Sequence, residues 1–179
     1  MIGAAYQHAR GIDRPSVGLL NIGSEALKGT SELRLAYQEL QRLAQFPPPF
    51  FHFAGNIEGK TVFYGNVDVL VTDGFTGNIF LKTAEGLANL ILDRVSATLS
   101  EEMGQYMQTH LQDLRHHLHY AEYPGALLCG VQGIVIKCHG YSSPEAFVSG
   151  IREAVRIASD GFLQFIYNKL LTHQSTLGI

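Results

Sequence analysis

The chain has 179 residues, 46% hydrophobic and 16% charged, with a formal net charge of −3. That is the length of about one domain, long enough for a substantial core, and the charge balance argues against a general nucleic-acid binder. Its two cysteines, Cys129 and Cys138, form no CxxC pair, which argues against a zinc site or disulfide framework and fits a reducing cytoplasm.

No apolar run reaches the roughly 18 residues of a membrane span, and Met1 to Arg10 lack the pattern of a secretion signal. These first residues resemble the tail of a helix, as if the chain began in mid-fold. Ser16 to Gly23 is expected to be a buried strand ending in a loop. Thr30 or Ser31 can cap a helix with Leu33, Tyr37 and Leu40 on one face. Pro47-Pro48-Pro49 stops it. Phe50 to Phe53 is the second expected strand and Val67 to Val71 the third, joined by a loop with a turn of helix over 55–66. Asp73 to Asn78 turns sharply, and a helix over 83–103 puts Leu87, Leu90, Ile91, Val95 and Leu99 on one stripe. Gly104 interrupts it, and Tyr106 to His119 forms a second helical run with Met107, Leu111, Leu114 and Leu118 in register.

Ile134 to Cys138 is the fourth expected strand. Ser143 and Pro144, as cap and first helical position, open a last helix carrying Phe147, Ile151, Val155, Phe162 and Ile166. The tail after Leu171 is expected to be loose. Short apolar strands alternating with amphipathic helices predict a single α/β domain over 1–179 with a largely parallel sheet. Ligands then sit at the carboxyl ends of strands.

Three such ends hold chemically capable residues: Asn21 to Glu25, Asp73 to Asn78, and Cys138 to Gly140. The richest is Asp73-Gly74-Phe75-Thr76-Gly77-Asn78, followed by Lys82. Its two glycines permit close backbone approach, and amides at a turn-to-helix junction collect anions. The same residues also build ordinary turns and caps. Lys28, just past the first strand with Gly23 and Ser24, is either solvated or neutralises a phosphate. His139 is either a proton carrier or a hydrogen-bonded structural histidine.

Residues 54–61 fit a loose Walker A pattern, but the expected strand follows too soon for the long helix that motif opens. Asn56 and Glu58 line a cleft or belong to a plain loop. The histidines at 116, 117 and 119 have no nearby cysteine to complete a metal set, and a solvated helix face accounts for them. The G-x-G-x-x-G fingerprint and the G-x-S-x-G elbow are both missing. Neither metal nor cofactor is expected.

Taken together, Val17 to Glu25, Lys28-Gly29, Gly55 to Gly59, Val69 to Lys82, Thr83 to Gly86 and Ile134 to Gly140 resemble one family in its own order. It is the bacterial phosphate acyltransferases of phospholipid synthesis. The resemblance implies transfer of a long acyl group from acyl carrier protein to inorganic phosphate. It implies a three-layer α/β/α sandwich similar to the isocitrate and isopropylmalate dehydrogenases, and a homodimer formed through a protruding helical hairpin at about 83–120. Peripheral membrane contact would lie near its tip, at 104–107. By position it makes Lys28 and Asn78 catalytic. Gly23, Ser24, Asn56, Glu58, Asp73, Gly74, Thr76, Gly77, Lys82 and His139 complete the expected substrate- and phosphate-binding set.

The chain departs from that family in length. The amino-terminal half, with its Asp-Ala-Met-Gly-Gly-Asp and Gly-Asn-Thr-Gly segments, has no counterpart here. Pro124 and Tyr141 also stand where the family has other residues. Little or no turnover is therefore expected of this chain alone. The competing expectations are a non-catalytic dimerisation and membrane-docking module of the same fold, and a short-chain phosphotransacetylase.

Overall fold

A computed structural model of the chain describes residues 1–98, 110, 125–138, 140 and 142–177. They fall into two compact units, Met1–Thr76 with Asp160–Ile179, and Gly77–Ser159.

In the first unit, Ser16–Asn21 (β1) lies between His52–Glu58 (β2) and Val69–Val71 (β3), and both pairings are parallel. The near-continuous apolar run of β1 is what a central parallel strand needs, because both its faces are covered; every residue from Val17 to Asn21 is buried. Helix Ser31–Ala44 (α2) returns the chain from β1 to β2, and the Thr30 hydroxyl accepts the Leu33 amide at 3.4 Å as its cap. A six-residue 3-10 turn, Gly59–Tyr64, links β2 to β3. The Asp68 carboxylate accepts the Ser16 amide at 2.7 Å where β1 begins.

Helix Ile2–Ala9 (α1) buries Ala4 and Ala5 and packs against the last helix, Phe162–Leu177 (α5). The Tyr6 ring meets Phe162 edge-on at 6.1 Å, and His8 stacks on Phe165 at 4.9 Å. Phe51, Phe162 and Leu19 are the largest fully buried side chains of this unit.

The second unit holds most of helix Gly74–Thr98 (α3) and a short antiparallel ribbon of Ala126–Leu128 (β4) and Val135–Lys137 (β5). Helix Pro144–Ser159 (α4) packs on β5. As expected, Pro144 is the first helical residue and the Ser143 hydroxyl accepts the Ala146 amide, at 3.3 Å. Leu92, Ala146, Gly150 and Ile157 are buried here.

The α/β class and the parallel sheet match the sequence reading, and several boundaries do not. β2 begins at His52 and continues through Glu58, so Asn56 and Glu58 are strand rather than loop residues. α3 begins at Gly74 because Asp73 caps it, which draws the expected turn into the first helical turn. The fourth expected strand pairs antiparallel with β4, which the sequence reading missed, rather than joining the parallel sheet. The expected last helix is two: Gly161, left-handed at φ 65°, ends α4. Helical backbone then continues to Leu177, into the tail expected to be loose after Leu171. The expected run at 106–119 apart from His110, the histidines at 116, 117 and 119, residues 104–107, His139, Pro124 and Tyr141 lie outside the described residues.

Candidate functional site

Parallel pairing delivers three loops to one edge of the sheet. Asn21 is in register with Glu58, and Leu19 with Val71. The segment after β1, with Gly23, Ser24 and Lys28, therefore emerges beside the end of β2, with Asn56 and Glu58. Asp73, Gly74 and Thr76 follow β3 at the same edge. This carboxyl edge is where ligands bind in open α/β sheets.

An irregularity in β2 decides which side chains meet there. Val17 pairs with Phe53 but Gly18 pairs with Gly55, so Ala54 is an extra residue. Gly55 takes the left-handed backbone this bulge requires, at φ 86°. The one-residue slip puts Asn56 opposite Leu19 rather than Leu20, on the sheet face of Asn21, because side chains alternate along a strand. Asn21 and Asn56 are 7% and 6% exposed. The Asn21 amide nitrogen donates to the Asn56 side-chain oxygen and to the Lys28 carbonyl, both at 3.1 Å. Its oxygen accepts the Ile22 amide at 2.8 Å, and the Asn56 nitrogen donates to the Glu25 carbonyl at 2.7 Å.

The charged groups are more open. Lys28 Nζ lies 3.6 Å from Glu25 Oε1, and both side chains are largely solvated. Such a pair contributes little and exchanges readily for an arriving anion. Lys60 pairs with Glu58 at 3.0 Å, and Lys82 with Glu85 at 2.8 Å. Asp73 Oδ1 accepts the amides of Phe75 and Thr76 at 2.9 and 2.8 Å. Hydrogen bonding from the Thr76 hydroxyl, then from these amides, holds its carboxyl below the usual range. The chain's own carboxylate thus takes the first amides of α3, which the sequence reading offered to a bound anion. Asn78 and Lys82 stand one turn apart along α3, both exposed, and Gly77 is half-buried. The sequence reading placed Asn21 in a chemically capable strand end without giving it a role of its own; its signal is one polar residue closing the apolar run Val17 to Leu20.

A family model described as "Fatty acid synthesis protein" matches residues 1–165. The chain belongs to that family. Among its relatives, a phosphate acyltransferase of Staphylococcus epidermidis is 41% identical over 165 residues, 89% of this chain and 49% of that protein. A phosphate acyltransferase of Caulobacter vibrioides is 42% identical over 168 residues, 90% of this chain and 46% of that protein. One from Chlamydia abortus is 43% identical over 155 residues, 86% and 44% of the two. The chain spans about half the length of these curated relatives.

Proposed function

We propose that the chain supplies the Lys28 and Asn78 side of a phosphate acyltransferase, which makes acyl phosphate from acyl carrier protein thioesters and inorganic phosphate. The observation that carries this reading is relatives of that name aligned with nearly the whole chain, including the loops at the sheet's carboxyl edge.

Phosphate is itself a nucleophile, so the enzyme's work is positioning and charge stabilisation. A phosphate oxygen attacks the thioester carbonyl carbon, and the C–O bond forms as the carbonyl oxygen takes up charge. Collapse breaks the C–S bond, and the departing carrier thiolate takes the proton that the phosphate gives up. Lys28 holds the phosphate by charge. Asn78 donates a hydrogen bond to the oxygen on which charge develops. Gly23, Ser24, Glu58, Asp73, Gly74 and Thr76 are assigned to phosphate and substrate binding at the sheet's carboxyl edge, and Gly77, Lys82 and His139 join that set by position in the family's motifs. The fold reading that goes with this is the three-layer dehydrogenase-like sandwich. A homodimer forms through the hairpin at about 83–120, with membrane contact near 104–107. No helix among the described residues is long and apolar enough to cross a membrane.

The test is release of acyl phosphate from acyl carrier protein and phosphate. This chain alone is expected to be nearly inactive. The chain mixed with the amino-terminal half of a relative is expected to turn over, with Lys28→Ala or Asn78→Ala abolishing turnover while the fold persists. Most activity retained in either variant removes that residue from the site. The dimerisation-module reading is favoured by the exposed apolar residues Leu87, Leu90 and Ile91 of α3. Stable dimers without turnover in the same mixture would select it.

A further inference from the structure

We infer that Asn21 and Asn56 form a buried amide clamp that positions the Lys28 loop to receive an anion, and that both are positioning residues rather than substrate ligands. The inference rests on the reading of Lys28 as a phosphate-binding group.

Asn21 uses both hydrogens of its amide and one lone pair of its oxygen, on Asn56, the Lys28 carbonyl and the Ile22 amide. These bonds agree on a single orientation. Turned over, the Asn21 oxygen would face two acceptors and its amide group would face the Ile22 N–H. Asn56 then extends the clamp to the Glu25 carbonyl. The pair holds the loop at its first residue, its middle and its end, with the Lys28 amide donating to the Glu25 carbonyl at 3.0 Å. The neighbouring backbone is shaped to admit the clamp. Gly29 is left-handed at φ 85°, and a Cβ there would lie 2.6 Å from the Asn21 side-chain oxygen.

The consequence is a division of labour. A buried, mutually hydrogen-bonded amide pair gives the backbone one geometry. From that fixed backbone Lys28 extends into solvent, loosely paired with Glu25. A lysine on an unrestrained loop would have to be ordered by the anion itself, which weakens binding. Asn56, expected from the sequence to line the cleft, instead turns its carboxamide into the loop.

Asn21→Asp tests this with little change of shape, because it replaces a buried donor with an oxygen that faces two acceptors. The readouts are amide hydrogen exchange over 22–29 and a titration of this chain with inorganic phosphate followed by amide chemical shifts. Phosphate is expected to shift the loop amides of the unmodified chain. In Asn21→Asp the sheet amides should stay protected. Loop exchange should quicken and phosphate affinity fall by about tenfold or more, the scale of leaving buried acceptors without their donor. Should this variant fail to fold, Asn56→Asp keeps the acceptor for Asn21, loses only the bond to Glu25, and takes the same readouts.

A merely structural role would lower the melting temperature and leave the phosphate affinity of the folded fraction unchanged, which overturns the inference. Unchanged loop exchange overturns it too. An unmodified chain that binds no phosphate sinks the reading of Lys28 instead, and loop exchange then judges the clamp alone.

Discussion

Two regions of this chain use the same amphipathic code to different ends. Around the parallel sheet, apolar residues are covered by the chain itself: Val17, Leu19 and Leu20 by neighbouring strands and helices, Phe51 completely. Along α3 and α4, the residues that make the apolar stripe stay open to solvent. Leu90 is 53% exposed, Phe147 59% and Ile151 57%. α4 packs on β5 and buries Ala146, Gly150 and Ile157 instead, leaving Phe147 and Ile151 open. Periodicity shows which side of a helix is apolar and leaves open what covers it.

The sharpest test of the contrast is truncation on both sides of it. Phe51→Ala should cost about 3–5 kcal/mol, since a fully buried ring leaves a cavity. Leu90→Ala or Ile151→Ala should change the stability of the monomeric chain by no more than about 0.5 kcal/mol. Urea unfolding of the three variants gives the comparison directly, and a large loss at Leu90 would show that its face is already covered. Gly29→Ala comes next, at about 1–3 kcal/mol, because it forces a side chain into left-handed backbone and against Asn21. Thr30→Ala removes the α2 cap and should cost about 1 kcal/mol. Both substitutions lie in the segment between the strands β1 and β2, so they measure how far the stability around the covered strand β1 depends on backbone and caps rather than on burial.

What the sequence made legible depended on how local its cause was. β1 could be read because a central parallel strand must be apolar throughout. α2 and α4 could be read because Thr30, Ser143 and Pro144 act within one helical turn. β4 and the true extent of β2 depend on partner strands, and three-residue strands such as Ala126–Leu128 have no pattern of their own. The start of α3 was misplaced because its two glycines belong to turns by habit, and the Asp73 carboxylate overrides that habit by taking two amides. The site followed the same rule. Lys28 and the segment 73–78 stand out in the sequence. The Asn21–Asn56 bond joins residues 35 apart and exists only because Ala54 is an extra residue in β2.

Acid offers the finest probe of the comparison, since helix starts in both regions carry the same device. Glu32 in α2 is held below the usual carboxylate range by its own backbone amide and by the hydroxyls of Thr30 and Ser31. Glu145 in α4 is held low by its own amide and by the Ser143 hydroxyl, and Asp73 by the Thr76 hydroxyl and the amides it caps. Each folded value lies below the unfolded one. Their stabilising contribution is therefore complete above the unfolded values, near pH 4 for ordinary carboxyls, at about 3.9–4.3. It disappears as pH falls through the folded values. Thermal melts taken from neutral pH downward should stay level until about pH 4–5 and then decline. Asp73→Asn should keep its cap, because the side-chain oxygen of asparagine still accepts the amides and does not titrate. Its α3 amides should remain protected in acid where those of the unmodified chain open. Equal opening in both would mean that Asp73 holds the helix start by charge on the helix dipole and not by its hydrogen bonds.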